Sequence, residues 1–357
     1  MKVIVTGSSG FIGCHVCATL LAQGHAVFGI DNLSRPGSEV NLEWLRSLRG
    51  RFTFAPIDIR SVDDLFQVFA LHKDADLVIH EAAQVAVTTS VSDPRLDFTV
   101  NALGTFNTLE AARRYCPKAA FLFASTNKVY GGMGGLEILE RPTRYVYAAC
   151  RDGVSEEQVL DFHSPYGCSK GAADQYVRDY SRIYGLRTVV FRQSCIYGTR
   201  QFGFEDQGWV AWFSIAAVAG WPISIYGDGK QVRDVLWVED LVNLYLTAVD
   251  KIEVAAGRIY NVGGGETNAL SILELLDLLE RYTEKSIQYS FEDWRPGDQR
   301  VYVSDCRKAH EELGWAPRVQ PFEGVRRLVA WASESSSLLQ RILRPSAAAL
   351  AAKAVDV

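Results

Sequence analysis

No uninterrupted apolar stretch in the 357 residues approaches the length that crosses a bilayer, so a membrane-spanning protein is not expected. The opening run Met1-Lys-Val-Ile-Val5 is short and leads straight into glycines, which does not fit a secretion signal. Cysteine is sparse: seven residues, odd in number and scattered, make no disulfide framework and suit reduced thiols in a cytoplasmic protein. Cys14-x-x-Cys17 has the spacing of a redox or zinc pair, but no second pair matches it and it falls inside a predicted helix. It reads as packing, and no metal is expected. A surplus of charge of one sign is missing too. With 37 basic and 42 acidic residues the net charge is −5, which gives neither nucleic acid nor an anionic membrane a general attraction. An anionic ligand must then be held by locally placed arginines. Internal repeats are also absent.

What remains is an ordinary globular composition, 48% hydrophobic and 22% charged, long enough for a large core and more than one lobe. The β-branched run at residues 2–6 is followed by Gly7-Ser-Ser-Gly10-Phe-Ile-Gly13 and an apolar-periodic helix to about Gln23. In a strand–glycine turn–helix unit the glycines give a tight turn, close approach to a pyrophosphate and close helix–strand packing, with the helix N-terminus facing the phosphates. A second strand, Ala26–Ile30, ends in Asp31, placed to accept from both ribose hydroxyls of an adenosine and to repel a 2′-phosphate. NAD is therefore favoured over NADP, with the nearby Arg35 keeping NADP open. A third strand over 52–57 ends in Asp58-Ile59, where the carboxylate could reach an adenine amino group. A fourth, Leu77–His80, runs into Glu81-Ala82-Ala83-Gln84, whose small residues let the chain pass close to a ribose; His80 reads as packing. A helix over 93–115 carries Asn101, and a fifth strand over 119–124 delivers Thr126, Asn127 and Lys128 beyond its C-terminal end, where open parallel sheets bind ligands.

Residues 131–162 read as a long loop. After it, His163-Ser-Pro-Tyr-Gly-Cys-Ser-Lys170 places a phenol and an ammonium four residues apart on one face of a helix over 165–184. An ammonium beside a phenol favours the phenolate, which can then take a proton from a hydroxyl near neutral pH. Alternation through six strand–helix units predicts an α/β fold of Rossmann type, a doubly wound parallel sheet with a smaller C-terminal substrate-binding lobe. The expected division is a Rossmann domain over 1–192, rejoined at about 233–262, and a lobe over 193–232 and 263–343. In the lobe, Gln207–Phe213 opens an aromatic helix, 223–229 reads as a hairpin, and Trp294–Arg300 as an arginine-bearing loop. Residues 344–357 read as a loose tail.

Taken in this order, Gly7, Gly10, Gly13, Asp31, Asn101, Thr126 and the Tyr166–Lys170 pair make the chain resemble the extended short-chain dehydrogenase/reductase family over roughly residues 2–332. The likeness includes Arg233–Asp240 and Pro296–Arg300. It implies NAD, tightly bound and regenerated each turnover, contacted by Gly7, Gly10, Phe11, Ile12 and Gly13, by Asp31, Asn32, Asp58 and Ile59, and by Ala82, Ala83, Asn101, Tyr166 and Lys170. Thr126, Tyr166 and Lys170 are the implied catalytic residues. Asn127, Arg200, Gln201, Arg233, Arg295 and Arg300 would hold a nucleotide-diphosphate sugar.

Within the family, Ser125–Gly131, Asp161–Asp174 and Arg200–Gly203 followed by Asp206–Trp209 are similar to a branch that inverts C2 of a CDP-linked dideoxyhexose. The family's 4,6-dehydratases carry Thr-Asp-Glu where this chain has Thr126-Asn127-Lys128, so dehydration is not expected. Many relatives have asparagine where Cys195 stands. A 4-epimerase of a UDP-sugar and a non-catalytic NAD-binding regulator are the alternatives, and a homo-oligomer, dimer or tetramer, is expected.

Overall fold

Short β-branched runs, each closed by a glycine or polar turn, build a parallel sheet of seven strands. In a computed structural model, which describes residues 1–150, 152–203, 205, 207–295 and 298–343, the chain begins β1 (Lys2–Thr6), α1 (Phe11–Ala22), β2 (Ala26–Ile30), α2 (Ser38–Ser47), β3 (Arg51–Ala55), α3 (Val62–Leu71) and β4 (Leu77–His80). The tail expected over 344–357 lies outside the described residues. Next come α4 (Val87–Ser92), α5 (Pro94–Phe98), a π-helical turn (Thr99–Leu103), α6 (Gly104–Tyr115) and β5 (Ala120–Thr126). A 3₁₀ turn (Asn127–Tyr130), β6 (Ile138–Glu140), β7 (Tyr145–Tyr147), α7 (Ser164–Tyr184) and β8 (Arg187–Gln193) follow.

The chain then leaves the large sheet through β9 (Cys195–Tyr197), α8 (Trp209–Ala219), β10 (Ile223–Tyr226) and β11 (Val232–Trp237). It returns as α9 (Val238–Asp250), α10 (Ile252–Ala255) and β12 (Ile259–Val262). It closes with β13 (Ala269–Ser271), α11 (Ile272–Thr283), β14 (Tyr289–Glu292), β15 (Val301–Tyr302), α12 (Arg307–Leu313), α13 (Pro321–Glu334) and α14 (Ser336–Leu343).

The sheet order is β12-β8-β5-β4-β1-β2-β3, every pair parallel, so the strand order reverses between β1 and β4. Ligands bind in the crevice that such a reversal opens. One face of the sheet packs on α1 and α9 through Cys14, Cys17, Leu20, Leu241 and Leu244. The other packs on α3, α6 and α7 through Leu65, Phe69, Leu109, Ala112 and Val177. Cys14 and Cys17 are thus core residues, and burial pushes the Cys14 thiol up to about 12. A third cluster, around Trp212, Phe213, Trp237, Leu275 and Leu328, forms the lobe.

Local chemistry sets the ends of the long helix α7. Pro165 begins it, the Ser164 hydroxyl accepts from the Gly167 N–H at 3.2 Å, and Gly185 closes it with φ +69°. Helix α11 starts with a capping box between Ser271 and Glu274.

Several expectations need correction. The helix expected over 93–115 starts where expected, with Asp93 capping it at Pro94, but the π turn over Thr99–Leu103 divides it into α5 and α6. The loop 131–162 contains the antiparallel β6–β7 hairpin. Residues 223–229 do not form a hairpin: β10 pairs in parallel with β14, while β11 pairs with β9, β13 and β15. The Gly227–Gly229 turn is held away from hairpin closure, since Gly229 accepts from Leu273 N–H and Asp228 accepts from the Tyr145 hydroxyl. Strand β11 belongs to the lobe, so the return to the large sheet starts at α9 and not at residue 233.

Beneath the crevice lies an ion pair cut off from water. Arg192 of β8 is 2% exposed and meets both oxygens of Asp174 of α7, itself 0% exposed, at 3.0 Å. Ser125 donates to Asp174 at 2.7 Å and Arg192 donates to the Tyr130 hydroxyl at 3.0 Å. Removing one partner leaves the other charge buried and unmatched. Asp174→Ala should therefore cost about 3–5 kcal/mol in chemical denaturation, and Asp174→Leu combined with Arg192→Met should recover most of it.

Candidate active site

The glycine turn after β1 is fixed by contacts that admit no side chain. Gly7 has φ +69°, and a Cβ there would lie 2.6 Å from the Ala82 nitrogen. At Gly13 a Cβ would meet the Gly7 oxygen at 2.0 Å. Gly10 is different: only the Gly7 oxygen, at 3.2 Å, lies near its Cβ position, and the rest opens into the crevice. Gly10 caps α1 with no side-chain hydrogen bond, so the first-turn N–H groups are left for a ligand. Above the turn lies a cavity of about 740 Å³ that brings together Gly7, Gly10, Phe11, Ile12, Gly13, Asp31, Asn32, Asp58, Ile59, Ala82, Ala83, Tyr166 and Lys170.

Asp31 anchors one end of this cavity. Its carboxylate accepts from the Ser9 N–H at 3.0 Å and the Leu33 N–H at 2.8 Å, while burial pushes it above the usual carboxylate range. The hydroxyls of Ser8 and Ser9 are buried without partners. Arg35 lines the same end and donates to the Gln207 side chain across the mouth. Asp58 is gripped by Arg60 at 2.9 and 2.7 Å and by Asn32 at 2.9 Å, which draws it down to about 2. An open helix start, a glycine floor, small residues at Ala82 and Ala83 and a buried carboxylate at the end of β2 fit a dinucleotide diphosphate with its ribose.

At the other end, Tyr166 and Lys170 sit one turn apart on α7. Tyr166 lies beside Thr126, and burial pushes its phenol up to about 12. Lys170 donates to the Ala124 carbonyl at 2.6 Å, stands 4.3 Å over the Phe123 ring, and burial brings its ammonium down to about 8. The expected lowering of the phenol by this lysine is absent: the ammonium is turned to the end of β5, and Asp97 adds a negative charge near the phenol. Burial thus favours the protonated phenol, and a cationic group set beside it would favour the phenolate.

Other expected contacts fall elsewhere. Asn101 is fully buried under the cavity wall, bonded to the Gln84 N–H and carbonyl at 2.9 Å and to Asp97 at 3.0 Å. It fastens the Gln84 segment to α5 instead of facing the cavity. Arg200 and Gln201, expected on the sugar side, line the dinucleotide cavity, with the Arg200 guanidinium 3.8 Å over the Trp44 ring. His80 is a packing residue between Thr6 at 2.6 Å and Thr105 at 3.0 Å, and burial drives it down to about 3.

Arg233, Arg295 and Arg300 form a separate group in the lobe. Arg233 holds Asp298 at 2.6 Å, Arg295 stacks 3.8 Å over Tyr226, and Arg300 lies over Tyr145 and Trp294. Thr126 and Asn127 are both buried. Lys128, absent from the expected site, faces Arg233, Asp298 and Cys195, and burial with the Arg233 charge brings it down to about 8. Cys195 accepts from the Trp209 indole at 3.1 Å. Lys128 was visible in sequence only as a break from the dehydratase pattern. Glu81 carried the weaker signal of an acid ending a buried strand.

Fold and cavity define a Rossmann protein with a tyrosine–lysine site at the strand reversal. A family model described as GDP-mannose 4,6 dehydratase matches residues 4–328, and the chain belongs to that family, within the extended short-chain dehydrogenases/reductases. It is 45% identical over 338 residues to the CDP-paratose 2-epimerase of Salmonella typhi, covering 93% of this chain and 99% of that one. The UDP-glucose 4-epimerase of Thermotoga maritima, solved with UDP-glucose, superposes with a TM-score of 0.81 at 31% identity, over 94% of this chain and all of that one. The UDP-glucose 4-epimerase of Thermus thermophilus, solved with NAD, superposes with a TM-score of 0.79 at 32% identity, over 93% and 99%.

Because the Gly13 Cβ would have to displace backbone, Gly13→Ala should yield protein with little or no bound dinucleotide, measured by releasing and quantifying the cofactor after denaturation. Gly10→Ala, where only one atom crowds the new methyl, should fold normally and bind more weakly.

Proposed function

We propose that the chain is an NAD-dependent epimerase that inverts C2 of a CDP-linked deoxyhexose, interconverting sugars of the CDP-paratose and CDP-tyvelose type. The reading is carried by Tyr166 and Lys170, one helical turn apart on the wall of a glycine-floored cavity, with Thr126 beside the phenol. Its substrate class is supported by the extent of the likeness to CDP-paratose 2-epimerase.

When bound, NAD supplies a reversible acceptor for the hydride of C2. Tyr166, as the phenolate that a cationic group beside it favours, takes the proton of the C2 hydroxyl, and Thr126, next to the phenol, donates to the same oxygen as charge develops on it. Lys170, fixed by the Ala124 carbonyl, has two remaining N–H bonds for cofactor ribose oxygens. The 2-keto sugar turns in the site while its nucleotide stays in the lobe, and the proton comes back from Tyr166 to the oxygen of the inverted carbon.

Arg233, Arg295 and Arg300 hold the diphosphate, guanidinium offering a planar fork to phosphate oxygens. Asp298 takes one N–H from Arg233 Nη2 and the Val232 carbonyl one from Nη1, leaving the remaining donors for the ligand. Asn127 contacts the sugar, while Arg200 and Gln201 serve the dinucleotide side. Asn127 and Lys128 replace the acid pair associated with dehydration, so no water is lost.

Two further features belong to this reading. All seven cysteines are free, which supports a cytoplasmic protein. Neighbouring helices α6 and α7 expose Phe106, Tyr176, Ile183 and Tyr184, apolar surface of the kind that a homo-oligomer covers.

NMR of the sugar ring after incubation with CDP-paratose or CDP-tyvelose should show inversion at C2, and UDP-glucose and UDP-galactose should remain unchanged. Inversion confined to C4 of the UDP-sugars would replace this reading with that of a UDP-sugar 4-epimerase. Tyr166→Phe should keep its bound NAD and lose turnover by about 10²–10⁴-fold, as for removal of a general base. Undiminished turnover would place the proton on another group.

A further inference from the structure

Glu81 is the charged group of the cavity that the proposed reaction leaves unused. It directly follows the buried strand β4 and lines the cavity with Lys170, Ser125 and Gln193. Its carboxylate is held from α9, which is steadied in turn from β8. Tyr245 of α9 donates to it at 2.6 Å, and Gln193, the last residue of β8, donates to the Tyr245 oxygen at 2.6 Å. Tyr245 is 1% exposed in the core beneath the sheet, so its hydroxyl is spent on this one acceptor. The relay runs one way: the glutamine amide fills the phenol's lone pair and leaves the phenol proton for the carboxylate.

Such a relay makes sense only for an acceptor at that point. Burying a carboxylate costs several kcal/mol, and an apolar side chain next to the Leu77–His80 strand would avoid the cost. Burial pushes Glu81 up to about 7, while Tyr245 and the Lys170 charge pull it back. In return Glu81 is the largest of three negative influences, with Asp174 and Asp97, that support the buried Lys170 ammonium. The other charges on the cavity wall, Asp31, Arg35, Asp58, Arg60 and Arg200, cluster with the glycine turn and the β2 and β3 ends. Glu81 is the wall's anion at the Tyr166–Lys170 end.

We infer that Glu81 is a positioning residue for charge: clamped by Tyr245 and Gln193, it acts as counter-ion to Lys170 and makes the cavity prefer the oxidised over the reduced dinucleotide. The inference rests on the NAD reading above. The two redox states differ by one positive charge on the nicotinamide ring. That ring has to lie near Tyr166 and Lys170 if proton and hydride leave the same H–C–O–H unit. An anion at that end stabilises the cationic state. The bias has a use in a reaction with no net redox change, because a keto sugar lost in mid-cycle strands the site reduced and unable to start again.

The test equilibrates the full chain, as wild type, Glu81→Gln and Tyr245→Phe, with equal concentrations of NAD⁺ and NADH. Free cofactor is removed and the bound cofactor is released and quantified by chromatography. The bound NAD⁺:NADH ratio should fall about tenfold in Glu81→Gln, the size of a one-unit charge interaction, and by a smaller factor in Tyr245→Phe. A ratio unchanged in both variants, with or without a drop in total occupancy, would overturn the inference and leave Glu81 a structural residue. If Glu81→Gln does not fold, Tyr245→Phe decides alone by whether its ratio falls. Wild type that retains neither dinucleotide would remove the NAD reading itself, and this inference with it.

Discussion

A buried ammonium governs the design of this site. Lys170 is 3% exposed, and taking such a group out of water is tolerable only where carbonyls, ring faces and anions replace the lost solvent. The Ala124 carbonyl, the Phe123 face and the carboxylates of Glu81, Asp97 and Asp174 supply that replacement from β4, β5, α5 and α7. Each of those groups needs its own support in turn. Asp174 takes Arg192 and Ser125; Asp97 takes Ser169, Gln84 and Asn101; Glu81 takes Tyr245. The polar core under the crevice follows from hiding one lysine.

Much of this was legible in the sequence, for identifiable reasons. The glycine turn, Asp31 and the order of strands could be read because parallel strands are apolar throughout and their turns carry glycine, which are local signals. The Tyr166–Lys170 spacing was legible because a helix makes it a shared face. Asn101 was legible as a site residue but not in its contacts, because its place in the chain marks the cavity while its side chain works one layer below, on Gln84 and Asp97. The parallel β10–β14 pairing joins residues more than sixty positions apart, and no local pattern encodes it. The Tyr166 environment was hidden for the same reason, since the direction of the Lys170 ammonium depends on where β5 ends.

The arginines divide by distance from the sheet. Arg200 belongs with α2 and the glycine turn, whereas Arg233, Arg295 and Arg300 belong with aromatic rings of the lobe. Lys128 lies with Arg233, Asp298 and Cys195 on the lobe side.

Three of the places where the chain crosses between the large sheet and the lobe have almost no slack. Only Ser194 separates β8 from β9, and β11 runs into α9 with no intervening residue. After β12 the glycines of the third crossing are pressed so close to β11 that a Cβ on Gly263 would sit 1.9 Å from Asp234 and one on Gly264 2.3 Å from the Val235 carbonyl. A body strapped at three points resists torsion, and the halves cannot swing apart like the jaws of a single-hinged clamp.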